Sequence, residues 1–416
     1  MRILIVSPFS WRRDLGAARA DMELAEELTR LGHEVTKFSL EDAGLDSAHR
    51  PILPYNPYPF SLALGRFLRR TSRTFDVLRT LQGHLPLGRG HLSPGCVTVV
   101  RSAGLVHLYQ EWELRTGGNF QWASRPGIRA KVNRHRDRLG MGVMEWATNR
   151  SFDMADLIIA RNDAERTFLE SNPRWCPKVV AVPSAISQAA FDALAHRPLP
   201  RAGTASPTIA FIGSWDRRKG AADFPELTAR IWGACPEARF LLLGTGVSEA
   251  LVRTDLGRPS DDRLQVVERF DPPDLPRLLA GASVGVFPTY IEGWGLAAVE
   301  LLAAGIPVVS YDVPGPAHIL GPLDRDLLVP PGDIEAMTER VLGLLSSTGD
   351  EMLSRAEACR ARAACFTWTR VTPLELEAYA ALLAERSKGA ERSGTQSTPA
   401  RGDDVSQRDG TYSRLQ

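Results

Sequence analysis

A strand–loop–helix–strand pattern occurs twice in this chain of 416 residues, once at its start and once from residue 208. In the first half, the apolar run RILIVS (residues 2–7) precedes a polar loop, a helical pattern that ends near Gly32, and a second strand pattern, HEVTKFSL. In the second half, TIAFIG, SWDRRKG, a helix over residues 221–234 and RFLLLGTG repeat that order. Strands that alternate with helices form parallel sheets covered on both faces, and right-handed crossovers make each half Rossmann-like. The sequence therefore predicts an α/β fold of two Rossmann-like domains that face each other across a cleft.

The domain boundary is predicted near RPLPRAGTASP, a segment rich in proline, glycine and alanine. Residues 1–190 would then form the amino-terminal domain and residues 207–370 the carboxy-terminal domain. The helical pattern in VTPLELEAYAALLAE is expected to close the fold over residues 371–386. Residues 387–416 are polar and poor in apolar side chains, which predicts a disordered tail.

Composition restricts the classes of function. The formal net charge is +1, which gives no indication of nucleic-acid binding. The five cysteines are scattered and form no CxxC pair, which indicates reduced thiols in a cytoplasmic protein. The opening MRILIVSPFSWRRD is interpreted as a buried strand and not a signal peptide. No run approaches the ~18 apolar residues of a membrane span.

The loop–helix segment YIEGWGLAAVELLAAGIPVV combines an anion site with two acids. Because the helix is predicted to begin near Gly295, the amides of Gly295, Leu296 and Ala297 would be unpaired first-turn donors able to hold a phosphate. Glu292 precedes the helix and Glu300 lies inside it, where each can accept hydrogen bonds from a polyol. Acids are also common near helix N-termini for electrostatic reasons alone, so the pair by itself does not decide the matter.

A second loop of the same predicted sheet, GSWDRRKG, places Arg217, Arg218 and Lys219 at the mouth of the same cleft. Basic side chains there can neutralise a diphosphate. The alternative is a solvated charge cluster. Since ligands of open α/β sheets lie beyond the carboxyl ends of the strands, the two loops together favour a nucleoside diphosphate sugar site.

These motifs resemble those of the retaining GT-B glycosyltransferases of family 4 (glycosyl transferases group 1). The resemblance runs through residues 1–385 and is strongest over 208–335, where Glu292 and Glu300 match an E-x7-E motif followed by Gly-x-Pro-Val-Val. It implies that Glu292, with Gly293 and Trp294 beside it, binds the donor sugar, that Glu300 binds the ribose, and that the amides of residues 295–297 hold the diphosphate. It further implies that Lys219 is the phosphate-binding lysine and that the closing helix crosses back to the first domain.

Gly16, in LGAA, would match the glycine-rich turn of the first domain that approaches the diphosphate, although the family usually has two glycines there. The chain departs from the family pattern at two more points. Ser214 stands where an arginine often precedes the lysine, so Arg217 or Arg218 would supply that charge. Ala103 stands where many members have a histidine near the reacting sugar, and His107 or His84 is the expected substitute.

The resemblance implies an enzyme that moves a sugar from a nucleotide donor to the hydroxyl of a small molecule, glycan or lipid-linked acceptor, with retention and without a metal or other cofactor. Its expected catalytic residues are Glu292, Lys219 and His107, because stabilising the departing diphosphate replaces a protein nucleophile. Two alternatives stay open at this point: a catalytically silent nucleotide-sugar-binding protein and a nucleotide-sugar epimerase of the same fold.

The segment FSLALGRFLRRTSRTFDVLRTL suggests a further property. It places apolar residues and four arginines, Arg66, Arg69, Arg70 and Arg73, along one predicted helix. Basic amphipathic helices can rest on anionic membranes, so peripheral contact of the amino-terminal domain with the inner membrane face is one hypothesis. An ordinary surface helix is the other.

Overall fold

The computed structural model describes residues 1–13, 16–45, 56–72, 74–86, 88–116, 128–197, 206–257 and 262–394. In this part of the chain, two six-stranded parallel sheets form the centres of two domains. Each sheet has helices on both faces, as the strand–helix alternation predicts.

The first sheet has the strand order β2-β1-β3-β4-β5-β6. Its strands are β1 Arg2–Val6, β2 Glu34–Phe38, β3 Val77–Leu81, β4 Val97–Arg101, β5 Leu157–Ala160 and β6 Val179–Ala181. Its helices are α1 Gly16–Arg30, α2 Tyr58–Arg70, α3 Val106–Thr116, α4 Ile128–Met154, α5 Asp163–Glu170 and α6 Gln188–Ala195. β3 and β4 are buried along their whole length, as expected of strands covered on both faces.

The second sheet has the order β12-β11-β10-β7-β8-β9. Its strands are β7 Thr208–Ile212, β8 Arg239–Leu243, β9 Leu264–Val267, β10 Ala282–Phe287, β11 Val308–Tyr311 and β12 Leu328–Val329. The helices that follow α6 are α7 Phe224–Ala234, α8 Glu249–Asp255, α9 Leu275–Leu278, α10 Leu296–Ala303, α11 Pro314–Leu320, α12 Ile334–Leu345, α13 Gly349–Ala364 and α14 Trp368–Gly394. The predicted α/β fold with two parallel sheets is confirmed.

The chain crosses between the domains at two points that lie side by side. Ile186 donates its amide hydrogen to the carbonyl of Phe366, and Trp368 donates to the carbonyl of Ile186. Ile186 and Phe366 pack in the core of the second domain, whereas Trp368 packs in the core of the first. By packing, α6 therefore belongs to the second domain, although the sequence boundary at residue 190 assigns its first three residues to the first.

The last helix, α14, is longer than the predicted 371–386. It packs on the first domain through Trp368, Val371 and Tyr379, and it continues to Gly394. Arg386 anchors it by an ion pair of 2.7 Å with Asp156. The helix therefore includes residues 387–394, which composition assigned to a disordered tail. Residues 395–416 lie outside the described part of the chain. No helix among the described residues combines the length and apolarity needed to span a membrane.

Candidate active site

A cavity of about 640 Å³ lies between the two domains, at the carboxyl ends of both sheets. It is lined by residues from segments 12–20, 101–104, 161, 184, 212–219, 244–246, 268–272 and 287–300. The loop that contains Lys219 and the loop that contains Glu292 both contribute lining residues, as predicted, because the carboxyl ends of parallel strands meet at one edge of a sheet.

The anion cradle of the second domain forms at the start of α10. Gly295 is the N-cap with φ +100°, a conformation that favours glycine, and the helix begins at Leu296. The loop before it is tied to the neighbouring loop, since the amide of Tyr290 donates to the carbonyl of Arg218 at 2.8 Å. Gly295, Leu296 and Ala297 all line the cavity. The first-turn N–H groups of the helix thus face the space where a phosphate can lie.

Lys219 and Glu292 form a direct hydrogen-bonded ion pair in this cavity. Their side chains are 13% and 15% exposed, and the ammonium lies 4.9 Å from the centre of the Phe287 ring. Burial lowers the pKa of Lys219 below its ordinary value despite the nearby carboxylate. Burial alone would raise the pKa of Glu292, but Lys219 and Arg218 together lower it. Glu292 is therefore held as a carboxylate at neutral pH.

Arg218 adds a second cation, with its Nη1 atom 3.7 Å from Glu292. It is hydrogen-bonded to Tyr109, a residue of α3 in the opposite domain. Burial raises the pKa of Tyr109, so this hydroxyl is neutral. Tyr109 was missed in the sequence, where it has no motif around it and lies in an ordinary helical pattern.

Glu300 is engaged from across the cleft. The Arg19 Nη1 atom of α1 donates to Glu300 Oε1 at 2.5 Å, and Arg19 Nε donates to Glu23 at 2.8 Å. Arg19 is 8% and Glu300 5% exposed. The two carboxylates raise the pKa of Arg19 against the effect of burial. Arg19 was also missed, because the sequence alone does not indicate that α1 faces α10.

The domains touch at Gly293. Asn162, the N-cap of α5, donates from Nδ2 to the Gly293 carbonyl at 2.6 Å. A Cβ atom on Gly293 would lie 2.5 Å from the Gly104 Cα atom, so only glycine allows this approach. Nearby, the His318 Nδ1 and Asp163 Oδ2 atoms are 3.2 Å apart. These contacts hold the two walls of the cavity together.

Five other predicted residues line the cavity. Gly16 is the first residue of α1, and among the described residues no atom lies within 4 Å of the position of an added Cβ atom, so a ligand can approach its backbone. Ser214 bonds to Asp216 at 2.6 Å. Ala103, Gly293 and Trp294 complete this group.

Three other predictions need correction. Arg217 is exposed and is not among the cavity-lining residues, because the 3-10 turn Arg217–Lys219 directs only the other two side chains inward. His107 bonds to Asn149 at 2.8 Å and packs 4.8 Å from the Phe168 ring. Since two helical residues subtend about 200°, α3 presents Tyr109 to the cleft and turns His107 away from it. His84, the other histidine considered, bonds to the carbonyl of Gln82, and burial lowers its pKa to about 4.

The fold and this cavity define the GT-B class, two Rossmann-like domains with a ligand cleft between them. Among solved structures, sucrose-phosphate synthase from Thermosynechococcus elongatus superposes with a TM-score of 0.69 at 21% identity, over 92% of this chain and 100% of that one. At this identity the likeness concerns the fold.

Residues 206–347 match the family model described as Glycosyl transferases group 1. D-inositol 3-phosphate glycosyltransferase of Mycobacterium marinum is 28% identical over 58% of this chain, and the match spans about half of that relative, 53%. Phosphatidyl-myo-inositol mannosyltransferase of Mycolicibacterium smegmatis is 25% identical over 91% of this chain and 93% of its own length. The matched domain contains Lys219, Glu292 and Glu300, and these findings support a glycosyltransferase.

Proposed function

We propose that this protein transfers a sugar from a nucleoside diphosphate sugar to a hydroxyl acceptor, with retention of the anomeric configuration and without a metal ion. One observation carries the proposal: two acids, two cations and a helix N-terminus, each predicted from sequence as part of a donor site, line a single cavity. The match to the Glycosyl transferases group 1 model covers the same residues. Retention rests on the E-x7-E resemblance.

The donor would lie along the carboxy-terminal wall. The first-turn amides of α10, with Arg218 and Lys219, bind the diphosphate, and Glu300 accepts hydrogen bonds from the ribose diol. Glu292 accepts hydrogen bonds from hydroxyls of the transferred sugar. Both acids change partners in this step: Glu300 exchanges Arg19 for the ribose, and Glu292 shares Lys219 with a phosphate.

Transfer then needs charge stabilisation and alignment. As the bond between the anomeric carbon and the phosphate oxygen breaks, negative charge grows on the diphosphate next to Lys219, Arg218 and the helix N-terminus. The acceptor oxygen bonds to the anomeric carbon on the same face, and its proton passes to the departing phosphate oxygen. These cations are placed to do what a metal ion does in other phosphate-leaving-group reactions.

The two alternatives make different predictions. A silent binding protein would bind the nucleotide sugar without releasing the nucleotide, and an epimerase would convert the sugar without transferring it. The match of residues 206–347 to the Glycosyl transferases group 1 model supports transfer over both.

A donor screen tests the proposal. The purified protein is incubated with UDP-, GDP-, ADP- and dTDP-sugars, with and without EDTA, and nucleotide release and thermal shift are measured, with Glu292→Gln as the site variant. We expect release from at least one donor, unaffected by EDTA and lowered by the variant. No release from any donor and no thermal shift with any nucleotide would reject the proposal, and conversion of the sugar without release would indicate the epimerase.

We also propose peripheral membrane contact by the amino-terminal domain of a cytoplasmic protein. Leu62 on α2 and Trp146 on α4 are exposed, and the Trp146 ring lies 5.8 Å from the ring of Tyr58 on α2. Arg66 and Arg69 are exposed on the same helix, α2. Apolar and aromatic groups beside arginines suit an anionic lipid interface. Arg73, which was grouped with these arginines, lies outside the described residues.

Co-sedimentation with vesicles tests this contact. We expect binding to phosphatidylglycerol vesicles, little binding to phosphatidylcholine vesicles, and loss of binding in Trp146→Ser. Equal behaviour of the variant and the unaltered protein would exclude this surface.

A further inference from the structure

Three arginines from consecutive strands of the first sheet lie buried behind the cavity. Arg79 is on β3, Arg101 ends β4 and Arg161 directly follows β5, and they are 1%, 3% and 3% exposed. Charged side chains are rarely buried without partners of opposite charge. The partners of each arginine therefore show whether its charge is neutralised within the protein or is available to a ligand.

Two acids in this cluster, Asp21 of α1 and Glu375 of α14, are used mainly by two of the arginines. Arg79 donates to both Glu375 oxygens at 2.8 and 3.1 Å and to Asp21 at 2.8 Å. Arg101 lies 2.6 Å from Asp21 Oδ2. The shortest ion pairs with Asp21 and Glu375 are thus made by Arg79 and Arg101.

Arg161 is left with weaker partners. Its Nη1 atom donates to the carbonyls of Val182 and Pro183 at 3.1 and 3.0 Å, and it is 3.7 Å from Glu375. Within the described part of the chain, its Nη2 atom has no hydrogen-bond partner. Burial, with Arg101 and Arg79 close by, lowers its pKa to about 9. At neutral pH this guanidinium remains charged and only partly compensated.

Another acid, Glu165, is close to Arg161 but is bound elsewhere. Its oxygens accept hydrogen bonds from the Ser102 hydroxyl and from the backbone amides of Leu105 and Arg161. Burial raises its pKa against the opposing effect of these hydrogen bonds and of the Arg161 charge. Glu165 therefore holds the loops after β4 and β5 and leaves the Arg161 guanidinium without a carboxylate of its own.

Arg161 and Arg101 both line the cavity, on the wall opposite the cradle of α10, with Ser102 and Ser184 beside them. A buried cation that shares its nearest carboxylate with another arginine and borders a ligand cavity is suited to a ligand that brings further negative charge. The cavity then has two cationic walls: Arg218 and Lys219 on one side, and these two arginines on the other.

We propose that Arg161, with Arg101, binds a phosphate or similar oxyanion of the acceptor, so that the acceptor is an anionic alcohol. This inference rests on the proposed function, because it identifies the second substrate of the same cavity. The donor diphosphate has the same chemistry and is the other possible source of the anion. The experiment has to separate the two.

The probe is inorganic phosphate, titrated against a sodium chloride series of equal ionic strength and followed by thermal shift. One series contains no nucleotide, and a second contains a saturating concentration of the nucleoside diphosphate found in the donor screen. Arg161→Met is the test variant. Arg197→Met is its matched control, because Arg197 is also buried, donates to the carbonyls of Ala304 and Ala282 and is not a cavity-lining residue. Its Nε atom has no hydrogen-bond partner among the residues that the structure describes.

We expect phosphate to stabilise the unaltered protein in both series. In Arg161→Met, phosphate binding weakens by roughly tenfold or more, as expected for loss of a charged hydrogen-bond donor, while nucleotide affinity is unchanged. Arg197→Met keeps both responses. The series without nucleotide does not depend on sugar transfer, so a failed donor screen leaves the comparison of Arg161→Met with the unaltered protein in that series intact.

Three results would overturn the proposal: no phosphate response in the unaltered protein, an unchanged response in Arg161→Met, or a response that saturating nucleotide abolishes. The last would assign the anion site to the donor. If Arg161→Met does not fold, Ser184→Asp replaces it, since Ser184 follows Pro183 and also lines the cavity. An added carboxylate there should raise the melting temperature and remove the phosphate response, and an unchanged phosphate response would equally overturn the proposal.

Discussion

Replacing Gly293 by alanine tests whether the approach of the two domains is needed for turnover. The added Cβ atom would lie 2.5 Å from the Gly104 Cα atom and 2.6 Å from its nitrogen, distances that real Cβ atoms do not reach. Both obstacles are backbone atoms, so no side chain can turn aside. Gly104 is itself held at φ +101°, and its carbonyl accepts a hydrogen bond of 2.7 Å from Gln82.

The size of the effect follows from this geometry. The contact has to lengthen from 2.5 Å to at least 3.0 Å, which separates the walls of the cavity and stretches the hydrogen bond from Asn162 to the Gly293 carbonyl. A misplacement of about 1 Å in a catalytic site costs on the order of 100-fold in rate. Because the displacement is at least 0.5 Å, about half of that distance, we expect Gly293→Ala to lower kcat about tenfold or more, with a small change in melting temperature because each domain keeps its own core.

The assay is nucleotide release from the donor found in the screen, together with a thermal melt. Gly233→Ala is the control: Gly233 lies in α7, an added Cβ atom meets nothing within 4 Å, and helical alanine is more stable than glycine by about 0.5–1 kcal/mol. It should turn over normally and melt no lower. A Gly293→Ala variant with unaltered kcat would refute the idea that this interdomain contact positions the reacting groups.

Four further predictions concern single side chains. Glu300→Ala should weaken nucleotide binding in a calorimetric titration, whereas Glu292→Ala should mainly lower kcat, and unaltered behaviour of both would contradict the site. Lys219→Met should raise the barrier to transfer by about 2–4 kcal/mol, measured as kcat, because it removes a cation beside the leaving group. His107→Leu should leave kcat unchanged in the same assay, and a large loss would restore it as a catalytic candidate. Glu375→Gln should lower the free energy of unfolding in urea by about 3–5 kcal/mol at pH 7. The Arg79 and Arg161 charges overcome the effect of burial and lower the pKa of Glu375 from 4.5 to about 2. The stabilisation by the carboxylate is therefore full above pH 4.5 and is lost as the pH falls towards 2, where the variant and the unaltered protein should have similar stability.

The parts of the site that sequence predicted share one physical reason. Lys219, Glu292 and Glu300 follow strands whose apolar runs are easily recognised, and parallel strands bring the segments after their carboxyl ends to one edge of the sheet. The local glycine at 295 then fixes where α10 begins. Short-range pattern and strand topology are sufficient for these residues, and no knowledge of the other domain is needed.

The site residues that were predicted wrongly or overlooked are set by side-chain direction around a helix and by contacts with the other domain. His107 was favoured for its chemistry and its distance along the chain, but helical geometry presents Tyr109 to the cleft. Arg161 lies in a polar loop, RND, that reads as an ordinary helix start, and Asn162 does cap α5. That Arg161 shares its nearest carboxylate, Glu375, with Arg79 becomes evident only in the structure.

Arg19 shows most clearly how a contact with the other domain changes the role that the sequence suggests for a residue. In sequence it belongs to AARADMEL, where its pairing with Glu23 four residues on would be taken for a surface pair worth about 0.3–0.5 kcal/mol. In the structure it is 8% exposed and also binds Glu300, 281 residues away. Removing one partner of a buried pair leaves the other charge uncompensated, so in our proposal the ribose of the donor has to replace Arg19 with hydrogen bonds of comparable strength. Arg19 belongs to the opposite domain, so its release on donor binding would break one interdomain contact while the Gly293 contact remains. In our proposal, occupancy of the donor site is therefore coupled to the position of α1 and of the acceptor-binding wall behind it.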